Sequence, residues 1–298
     1  MLSFEDSFFQ SETRDGFTVS EMMKRCWAVQ MNVLMDIDRI CCEYGLSYFA
    51  ISGTMLGAVR HKGYVPWDDD IDIAMLRDDY MRFIEVSRYE LPEGYYVHSY
   101  YTCDTHRNSP TGIMNRSDGG RNKAITEHFY GCPYITGVDL HPIDFVPLDD
   151  NEKQVFEATY GLLYDTAITC DGLDRQALIE KLKLVEQFTG VKIDEADGNV
   201  RQKLWILSER VASMYSEAEA RGAAWIPDLV TISPERYFSI EAVKQTIYMP
   251  FEMIQIPIPV GYDEYLRVLY GEDYMTPRNI TASHGYPFYK DQQAYNTQ

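Results

Sequence analysis

The sequence predicts an α+β fold in which a mixed sheet is flanked by helices and interrupted by a helical insertion. Short runs of aromatic and β-branched residues, which are typical of strands, alternate with helical patterns over residues 18–149 and return over residues 225–295. Residues 150–222 show helical periodicity alone. We therefore expect a single domain over residues 1–298, with the two β-containing stretches as its core and the helical stretch as an insertion.

The core begins with a long helix and a short buried strand. The helix is expected from Ser20 to Glu43, because residues 18–21 have the spacing of a capping box and Gly45 suits a helix end. The strand is expected at Tyr48–Ile51, which is rich in aromatic and branched side chains. The apolar residues of the helix fall near a single stripe, formed by Met23, Trp27, Met31, Leu34, Ile37, Ile40 and Cys41.

A turn of small residues, Ser52-Gly53-Thr54, follows this strand and precedes a short helix. Such a turn allows a phosphate group to approach the backbone, where the first N–H groups of the helix point outward. The sequence therefore predicts an anion-binding turn formed by Ser52, Gly53 and Thr54.

Four aspartates lie within the run Trp67–Ile73. We expect a strand over residues 70–75, in which Asp70 and Asp72 share one face because residues two apart in a strand point the same way. Two carboxylates held on one face repel each other, and Mg²⁺ or Mn²⁺ between them would relieve that repulsion, since hard cations prefer carboxylate oxygens. The simpler alternative is a solvated acidic turn that binds no metal.

The remaining elements follow from the same signals, and the helix after the acidic run is stopped by Pro92. In the third insertion helix, one apolar face is expected to contain Leu204, Leu207, Val211 and Met214. The expected elements are a helix at 78–90, a strand at 95–101, a polar loop at 112–129, a strand at 134–148, helices at 151–168, 174–188 and 199–219, a strand at 251–257 and a closing helix at 262–271.

The net charge of −19 argues against a surface that binds nucleic acid or anionic lipid. This negative charge would also repel an anionic substrate unless basic side chains near the site offset it. The candidate basic residues are Arg60, His61, Lys62 and Arg77. The chain has no apolar run of about 18 residues, and its N-terminus lacks the pattern of a signal peptide. We expect a cytoplasmic protein without an integral membrane segment, and the absence of paired metal-binding spacing among its six cysteines fits this.

The stretch Ser52–Ile73 resembles the signature of the LicD family. Members of that family are phosphotransferases of the nucleotidyltransferase fold, and the vertebrate fukutin-related protein is a distant relative. The resemblance continues at Glu43–Phe49, at Met75–Tyr80 and in a C-terminal motif at Tyr265–Met275. It implies a nucleotidyltransferase-like mixed sheet, with the C-terminal motif folded back against the core, where it helps to wall the donor pocket.

The resemblance also implies a third carboxylate on a strand next to the acidic run. LicD proteins usually carry an Asp followed by Pro at the third and Asp at the fifth position beyond it, and this pattern fits from Asp139 and again from Asp144. Asp139 is favoured because a glycine closely precedes it. The implied metal ligands are Asp70, Asp72 and Asp139, and either Asp139 or Asp144 accepts the proton of the acceptor hydroxyl.

What the resemblance implies for function is transfer of a phospho-alcohol, phosphocholine foremost, from a CDP-linked donor with release of CMP. The acceptor would be a hydroxyl of a cell-surface glycan, such as a lipopolysaccharide or teichoic-acid precursor, or a polyol phosphate. The cofactor would be Mg²⁺ or Mn²⁺, and the acceptor would bring the protein to the inner face of the membrane.

Two basic residues and several aromatic residues are further candidates for substrate contact. Arg60 and His61 follow the anion-binding turn and are expected to neutralise the leaving nucleotide or to order the loop. Choline would need aromatic side chains around its quaternary ammonium. Trp67 is the candidate nearest the acidic run, and the other aromatic candidates are Tyr96, Tyr100 and Tyr101.

The sequence leaves open two alternative functions, a different enzyme class and a protein without catalytic activity. A true nucleotidyltransferase would keep the nucleoside monophosphate on its product and release pyrophosphate. A catalytically inactive member would bind a glycan or a nucleotide without a metal, although the intact Asp70 and Asp72 pair argues against it.

Overall fold

The structure, a computed structural model, describes residues 1–103, 106, 110–279 and 285–296. Its contacts group the chain into two compact units. The first comprises Met1–Val97, Gly112–His141 and Gln245–Gln298, and the second comprises His98–Thr111 and Pro142–Lys244. The expected helical insertion at 150–222 falls inside the second unit, while the single-domain organisation stays a prediction.

The mixed α/β architecture expected from the sequence is confirmed. In chain order, the described elements are β1 (Glu12–Arg14), β2 (Phe17–Val19), α1 (Glu21–Tyr44), β3 (Phe49–Ala50), α2 (Ser52–Arg60), β4 (Asp72–Leu76), α3 (Arg77–Glu90), β5 (Tyr96–His98), β6 (Thr111–Met114), α4 (Lys123–His128), β7 (Gly137–Pro147), α5 (Asp150–Thr169), α6 (Arg175–Thr189), α7 (Val200–Ala212), β8 (Ala220–Ala224), α8 (Ile226–Thr231), α9 (Ile240–Val243), β9 (Thr246–Phe251), β10 (Ile254–Pro259), α10 (Tyr262–Tyr270) and α11 (Lys290–Asn296).

Helix α1 lies close to its expected bounds, but the capping box expected over residues 18–21 is not formed, because Thr18 belongs to β2 and Ser20 caps the helix. The Ser20 hydroxyl accepts a hydrogen bond from the Met23 N–H, and Gly45 ends the helix in the left-handed conformation with a φ of 65°. All seven residues of the expected apolar stripe are buried. The polar residues Lys24, Gln30 and Asn32 are buried as well, so α1 is covered on more than the one face that periodicity indicates.

The sheet has the strand order β3-β4-β7-β6-β5, and β8 pairs with β7. Strand β3 runs antiparallel to β4 in a short register, with Phe49 opposite Ala74 and Ala50 opposite Ile73. Strand β4 begins at Asp72, and on the side of β3 the Ile51 N–H donates to the Asp72 carbonyl oxygen at 3.1 Å. The expectation that Asp70 lies within the strand is therefore wrong, and Asp70 belongs to the turn before it.

The segment expected to be a polar loop, 112–129, contains most of β6 and all of α4. Its order comes from Arg116, which is only 1% exposed and forms two hydrogen bonds with the Asp118 carboxylate. The same guanidinium donates to the Thr126 hydroxyl at 2.9 Å, and Asn122 caps α4. The ion pair between the buried Arg116 and the partly exposed Asp118 thus helps to order a segment that the sequence predicts to be a loop.

In the second unit, α5, α6, α7 and α8 surround an apolar core. Leu204, Leu207 and Val211 are buried in it as expected, but Met214 is 66% exposed. The reason is that α7 ends at Ala212, well before the expected end at residue 219. The chain then forms β8, which pairs antiparallel with the last part of β7.

The strand expected at 251–257 begins later, as β10, because its first residue ends β9 and the chain turns at Glu252, with a φ of 50°, before β10 pairs antiparallel with β9. The closing helix α10 packs against α2 in the first unit, so the C-terminal motif folds back on the core as the resemblance implies. Within the described part of the chain, no helix combines the length and the apolarity that a membrane span requires.

Gly137 marks the closest approach between β6 and β7, and its replacement by alanine tests the sheet. An added Cβ would lie 1.8 Å from the Ile113 carbonyl oxygen, so Gly137→Ala must shift one backbone against the other. We expect a loss of about 3 kcal/mol or more in the free energy of unfolding, measured by urea denaturation. Gly198→Ala is the control, because nothing lies within 4 Å of an added Cβ there, and an equal effect of both changes would contradict this account.

Candidate active site

The start of α2 lies against the end of the acidic run. Ser52 begins the helix with a φ of 49°, an uncommon conformation for a residue with a side chain. Thr54 is 2% exposed, and its hydroxyl oxygen accepts a hydrogen bond from the Asp72 N–H at 2.8 Å. The turn expected to bind an anion is therefore fixed to strand β4, while the first N–H groups of α2 have no partner within the helix.

Gly53 faces the carboxylate of Asp68 directly. An ideal Cβ at this position would lie 2.0 Å from Asp68 Oδ2 and 3.1 Å from its Cγ. No residue with a side chain fits there while the carboxylate keeps its position. The small-residue turn and the acidic run are thus in contact, as the order of the two motifs in the sequence indicates.

Three carboxylates lie close together, those of Asp68, Asp69 and Asp70. Each offers an oxygen that lies within 4.8 Å of the others, and Asp69 is fully buried. Burial raises the pKa of the Asp68 carboxyl well above its ordinary value, and the charges of Asp70 and Asp72 raise it further. The repulsion expected between Asp70 and Asp72 thus acts among all four aspartates of the run.

This donor set fits a hard divalent cation. It consists of carboxylate oxygens, which Mg²⁺ and Mn²⁺ prefer, and it contains no thiolate or imidazole. A cation would also relieve the repulsion that raises the pKa of Asp68. The fit differs from the expected ligand set, because Asp68 and Asp69 join Asp70 here, whereas Asp72 has another partner. The assignment of Asp70, Asp72 and Asp139 as metal ligands remains a prediction.

The partner of Asp72 is His141, which sequence reasoning missed. His141 Nε2 lies 2.9 Å from Asp72 Oδ1, and the histidine is 5% exposed. The only sequence signal for this contact is that His141 stands two positions after Asp139, on a strand expected to adjoin the acidic run. The side chains of Asp72 and His141 show that β4 and β7 present these residues on one face of the sheet.

Asp139 lies on the same face. It is two residues from His141 in strand β7, and its N–H donates to the Ile71 carbonyl oxygen at 2.9 Å. An added Cβ on Gly112 of β6 would lie 3.6 Å from Asp139 Oδ1, which locates the carboxylate beside that glycine. Asp139 therefore shares the face of Asp72.

Asp144 belongs to the second unit and stands at the register position opposite Ala224. It is 2% exposed. Because it is an odd number of residues from Asp139, a regular strand directs the two side chains to opposite faces. The choice between Asp139 and Asp144 as the third carboxylate stays a prediction.

A network of buried polar side chains holds the backbone of the acidic run. The Gln30 side-chain amide donates to the Asp69 carbonyl oxygen at 2.7 Å and to the Thr136 hydroxyl at 3.0 Å. Its own carbonyl oxygen accepts from the Tyr64 hydroxyl at 2.9 Å. Because Gln30, Thr136 and Tyr64 are all buried, these bonds fix the backbone at Asp69 without the help of solvent.

Arg60 and His61 connect the site to other parts of the first unit. The Arg60 guanidinium donates to the Tyr274 carbonyl oxygen at 2.6 Å, and Tyr274 in turn donates to Asp263 at 2.7 Å. His61 Nε2 lies 3.1 Å from the Asp15 carboxylate. Burial first and the charge of Arg60 second lower the pKa of His61, so the imidazole is neutral near pH 7. Both side chains therefore contact other segments of the first unit, and their assignment to the substrate stays a prediction.

The aromatic candidates are divided between different environments. Trp67 is 6% exposed, and its ring meets the edges of Phe17 and His61 with centroids 6.3 and 6.2 Å away. Tyr100 lies in the second unit, where it stacks on Trp205 with centroids 5.3 Å apart. Neither ring offers an open face for a quaternary ammonium in these contacts, and the assignment of Trp67 to substrate stays a prediction.

Comparison with known proteins agrees with this geometry. A family model described as "LicD/FKTN/FKRP, nucleotidyltransferase domain" matches residues 45–166. The lipopolysaccharide cholinephosphotransferase LicD of Haemophilus influenzae is 48% identical over 67 residues, which are 22% of this chain and 25% of that protein. An uncharacterized protein of Rickettsia typhi is 37% identical over 54 residues, 18% of each chain, and one of Rickettsia prowazekii is 40% identical over 47 residues, 16% of this chain and 18% of that protein.

The matched segment thus spans a quarter or less of the length of each of these relatives. The resemblance to the LicD family is confirmed for residues 45–166, which contain α2, the four aspartates and β7. The residues that form the carboxylate group and its neighbouring turn all lie within this matched domain.

Two glycines of α2 provide a test that separates the site from the fold. In Gly53→Ala the obstructing atom is the end of the Asp68 side chain, so we expect a retained fold and a loss of about 10- to 100-fold in Mn²⁺ affinity. In Gly57→Ala the obstructing atom is the Gly63 carbonyl oxygen, 2.3 Å away, so we expect lost stability instead. Isothermal titration and thermal unfolding measure the two effects, and unchanged Mn²⁺ affinity in folded Gly53→Ala would remove Asp68 from the site.

Proposed function

We propose that this chain is a metal-dependent phosphotransferase that moves a phospho-alcohol from a CDP-linked donor to a hydroxyl of a cell-surface glycan or polyol-phosphate precursor, releasing CMP. Phosphocholine is the first candidate for the transferred group, because a relative that is 48% identical over 67 residues carries a cholinephosphotransferase name. Lipopolysaccharide and teichoic-acid precursors are the candidate acceptors, and a cytoplasmic location at the inner face of the membrane follows from such an acceptor.

One observation carries the proposal: three carboxylates lie within 4.8 Å of one another, in contact with the bare Gly53 at the start of a helix. Carboxylates would hold a divalent cation, and the helix start would receive a phosphate oxygen. An inert acidic turn would instead spread its charges into solvent, whereas Asp69 is fully buried. The combination supports chemistry at phosphorus more than it supports a binding module.

In this proposal the acceptor hydroxyl attacks the phosphorus that carries the alcohol. A new bond forms between the hydroxyl oxygen and phosphorus, and the bond from that phosphorus to the bridging oxygen of the diphosphate breaks, so that CMP leaves. Bound Mg²⁺ or Mn²⁺ would supply charge neutralisation for the attacking and leaving oxygens. Asp139 would accept the hydroxyl proton, since it shares the face of Asp72 and is only partly buried.

The chain's own residues would position the reactants without a covalent intermediate. The turn Ser52–Thr54 would hold the phosphate through backbone N–H groups. The Asp72 carboxylate is kept in one orientation by His141, while Thr54 fixes its main chain. Arg60 would help to neutralise the leaving nucleotide through its charge, while its guanidinium also donates to the Tyr274 carbonyl oxygen.

Product analysis tests the proposal against both alternatives. The protein is incubated with CDP-choline, CDP-ribitol or another CDP-alcohol, with and without a glycan acceptor, and CMP is measured. Acceptor-dependent CMP release supports the proposal. Release of pyrophosphate from CTP or ATP would make the chain a true nucleotidyltransferase, and binding of nucleotide or glycan without turnover or metal dependence would make it an inactive binder.

The first prediction for this function concerns the charges of the acidic run. Asp70→Asn and Asp72→Asn should each lower transfer by about 10³-fold or more, because each removes a charge that the cation or its neighbours require. The fold should persist, since the amide is isosteric and the repulsion among the aspartates falls. Asp78→Asn is the control, because Asp78 is exposed on α3. Near-wild-type transfer by either site variant at saturating Mg²⁺ would contradict the assignment.

The second prediction separates Asp139 from Asp144. Asp139→Ala should cost about 10³-fold in rate with little change in melting temperature, as expected for a ligand or base. Asp144→Ala should mainly lower the melting temperature, because it empties a position that is 2% exposed. Initial rates and thermal unfolding are measured on both variants. Small and equal losses of rate would mean that the third carboxylate lies elsewhere.

A further inference from the structure

The C-terminal segment Gly285–Gln293 docks on the first unit beside the acidic run. The main-chain N–H of Phe288 donates to Asp69 Oδ2 at 2.6 Å, across 219 positions of sequence. The middle carboxylate of the Asp68–Asp70 group is therefore held by a part of the chain that its own sequence motif does not contain.

The C-terminal segment has anchors of its own. The Gln292 side chain accepts from the Ile135 N–H at 2.9 Å and donates to the Ile135 carbonyl oxygen at 2.8 Å, as a neighbouring strand would. Tyr289 is 6% exposed and stacks on Tyr134, with centroids 4.5 Å apart and planes 3° apart. Neither anchor involves Asp69. The segment is thus positioned independently, and its bond to Asp69 acts on the carboxylate.

The backbone and the carboxylate of Asp69 are held by different parts of the chain. The Gln30 side chain donates to the Asp69 carbonyl oxygen, and the Phe288 N–H donates to one oxygen of the carboxylate. The neighbouring Asp68 and Asp70 place like charges close to this carboxylate. A donor held on one oxygen opposes rotation of the group.

We propose that Phe288 is a positioning residue whose main-chain N–H fixes the Asp69 carboxylate within the Asp68–Asp70 group. Full affinity for a divalent cation then requires the docked C-terminal segment. This inference rests on the metal-dependent function proposed above and adds an element to the same site. Groups that orient metal ligands in this way typically contribute about 10- to 100-fold to metal affinity.

A pair of substitutions at one position isolates the N–H group. Phe288→Pro removes the donor, whereas Phe288→Ala keeps it and removes only the ring. Proline is suited to this position, because the Lys290 N–H donates to the Pro287 carbonyl oxygen at 3.0 Å and Phe288 is the second residue of that turn. The two variants differ in the bond to Asp69 more than in the geometry of the segment.

The readout is the dissociation constant for Mn²⁺, measured on the full chain by electron paramagnetic resonance, together with the melting temperature. Phe288→Pro should bind Mn²⁺ about 10- to 100-fold more weakly than the wild type, and Phe288→Ala should stay within about 3-fold. A purely structural role would lower the melting temperature of both variants and leave the Mn²⁺ affinity of the folded protein unchanged.

A second pair decides the matter if Phe288→Pro does not fold. Gln292→Ala removes the anchor at Ile135, and Asp291→Ala changes an exposed neighbour on α11. The proposal is supported if Gln292→Ala weakens Mn²⁺ binding by at least about 3-fold and Asp291→Ala leaves Mn²⁺ affinity unchanged. Equal affinities for wild type, Phe288→Pro and Gln292→Ala would overturn this inference alone. Absence of Mn²⁺ binding to the wild type would overturn both this inference and the metal dependence proposed above.

Discussion

The mutual repulsion of Asp68, Asp69 and Asp70 is the constraint on which the site depends. Three consecutive carboxylates lie within 4.8 Å of one another, and the middle one is fully buried. Burial and like charges in such a position lower the stability of the folded state, and burial first and the charges of Asp70 and Asp72 second raise the pKa of the Asp68 carboxyl. The three carboxylates lower the stability of the fold, and a bound cation would raise that stability again. Such destabilising arrangements are typical of functional sites.

The groups that hold these charges in position come from distant parts of the first unit. Gly53 at the start of α2 leaves the space that the Asp68 carboxylate occupies, and Gln30 in α1 holds the Asp69 backbone. His141 in β7 orients Asp72, and Phe288 near the C-terminus donates to Asp69. No short segment of the chain could maintain the arrangement, so the geometry of the acidic run is a property of the folded unit.

Local signals in the sequence were sufficient for the elements whose ends are set by nearby residues. Ser20 caps α1 and Gly45 ends it, and the contact of the Ser-Gly-Thr turn with the acidic run follows from their order along the chain. The sequence did not indicate His141, Gln30 or Phe288, because each acts through a polar contact between residues far apart in sequence. Periodicity also failed at Met214, where strand β8 competes with continuation of the helix.

In strand β7, the number of residues between the functional positions matters as much as their identity. Asp139 and His141 share one face of it, and Asp144 faces the other way because the separation is odd. Deleting one residue between His141 and Asp144 would turn the side chain of Asp144 to the face of Asp139 and would reverse the inward and outward sides of every residue that follows in the strand. Related sequences that vary freely in their helical segments should therefore conserve the spacing of this strand, and an insertion or deletion within it would be more disruptive than most substitutions.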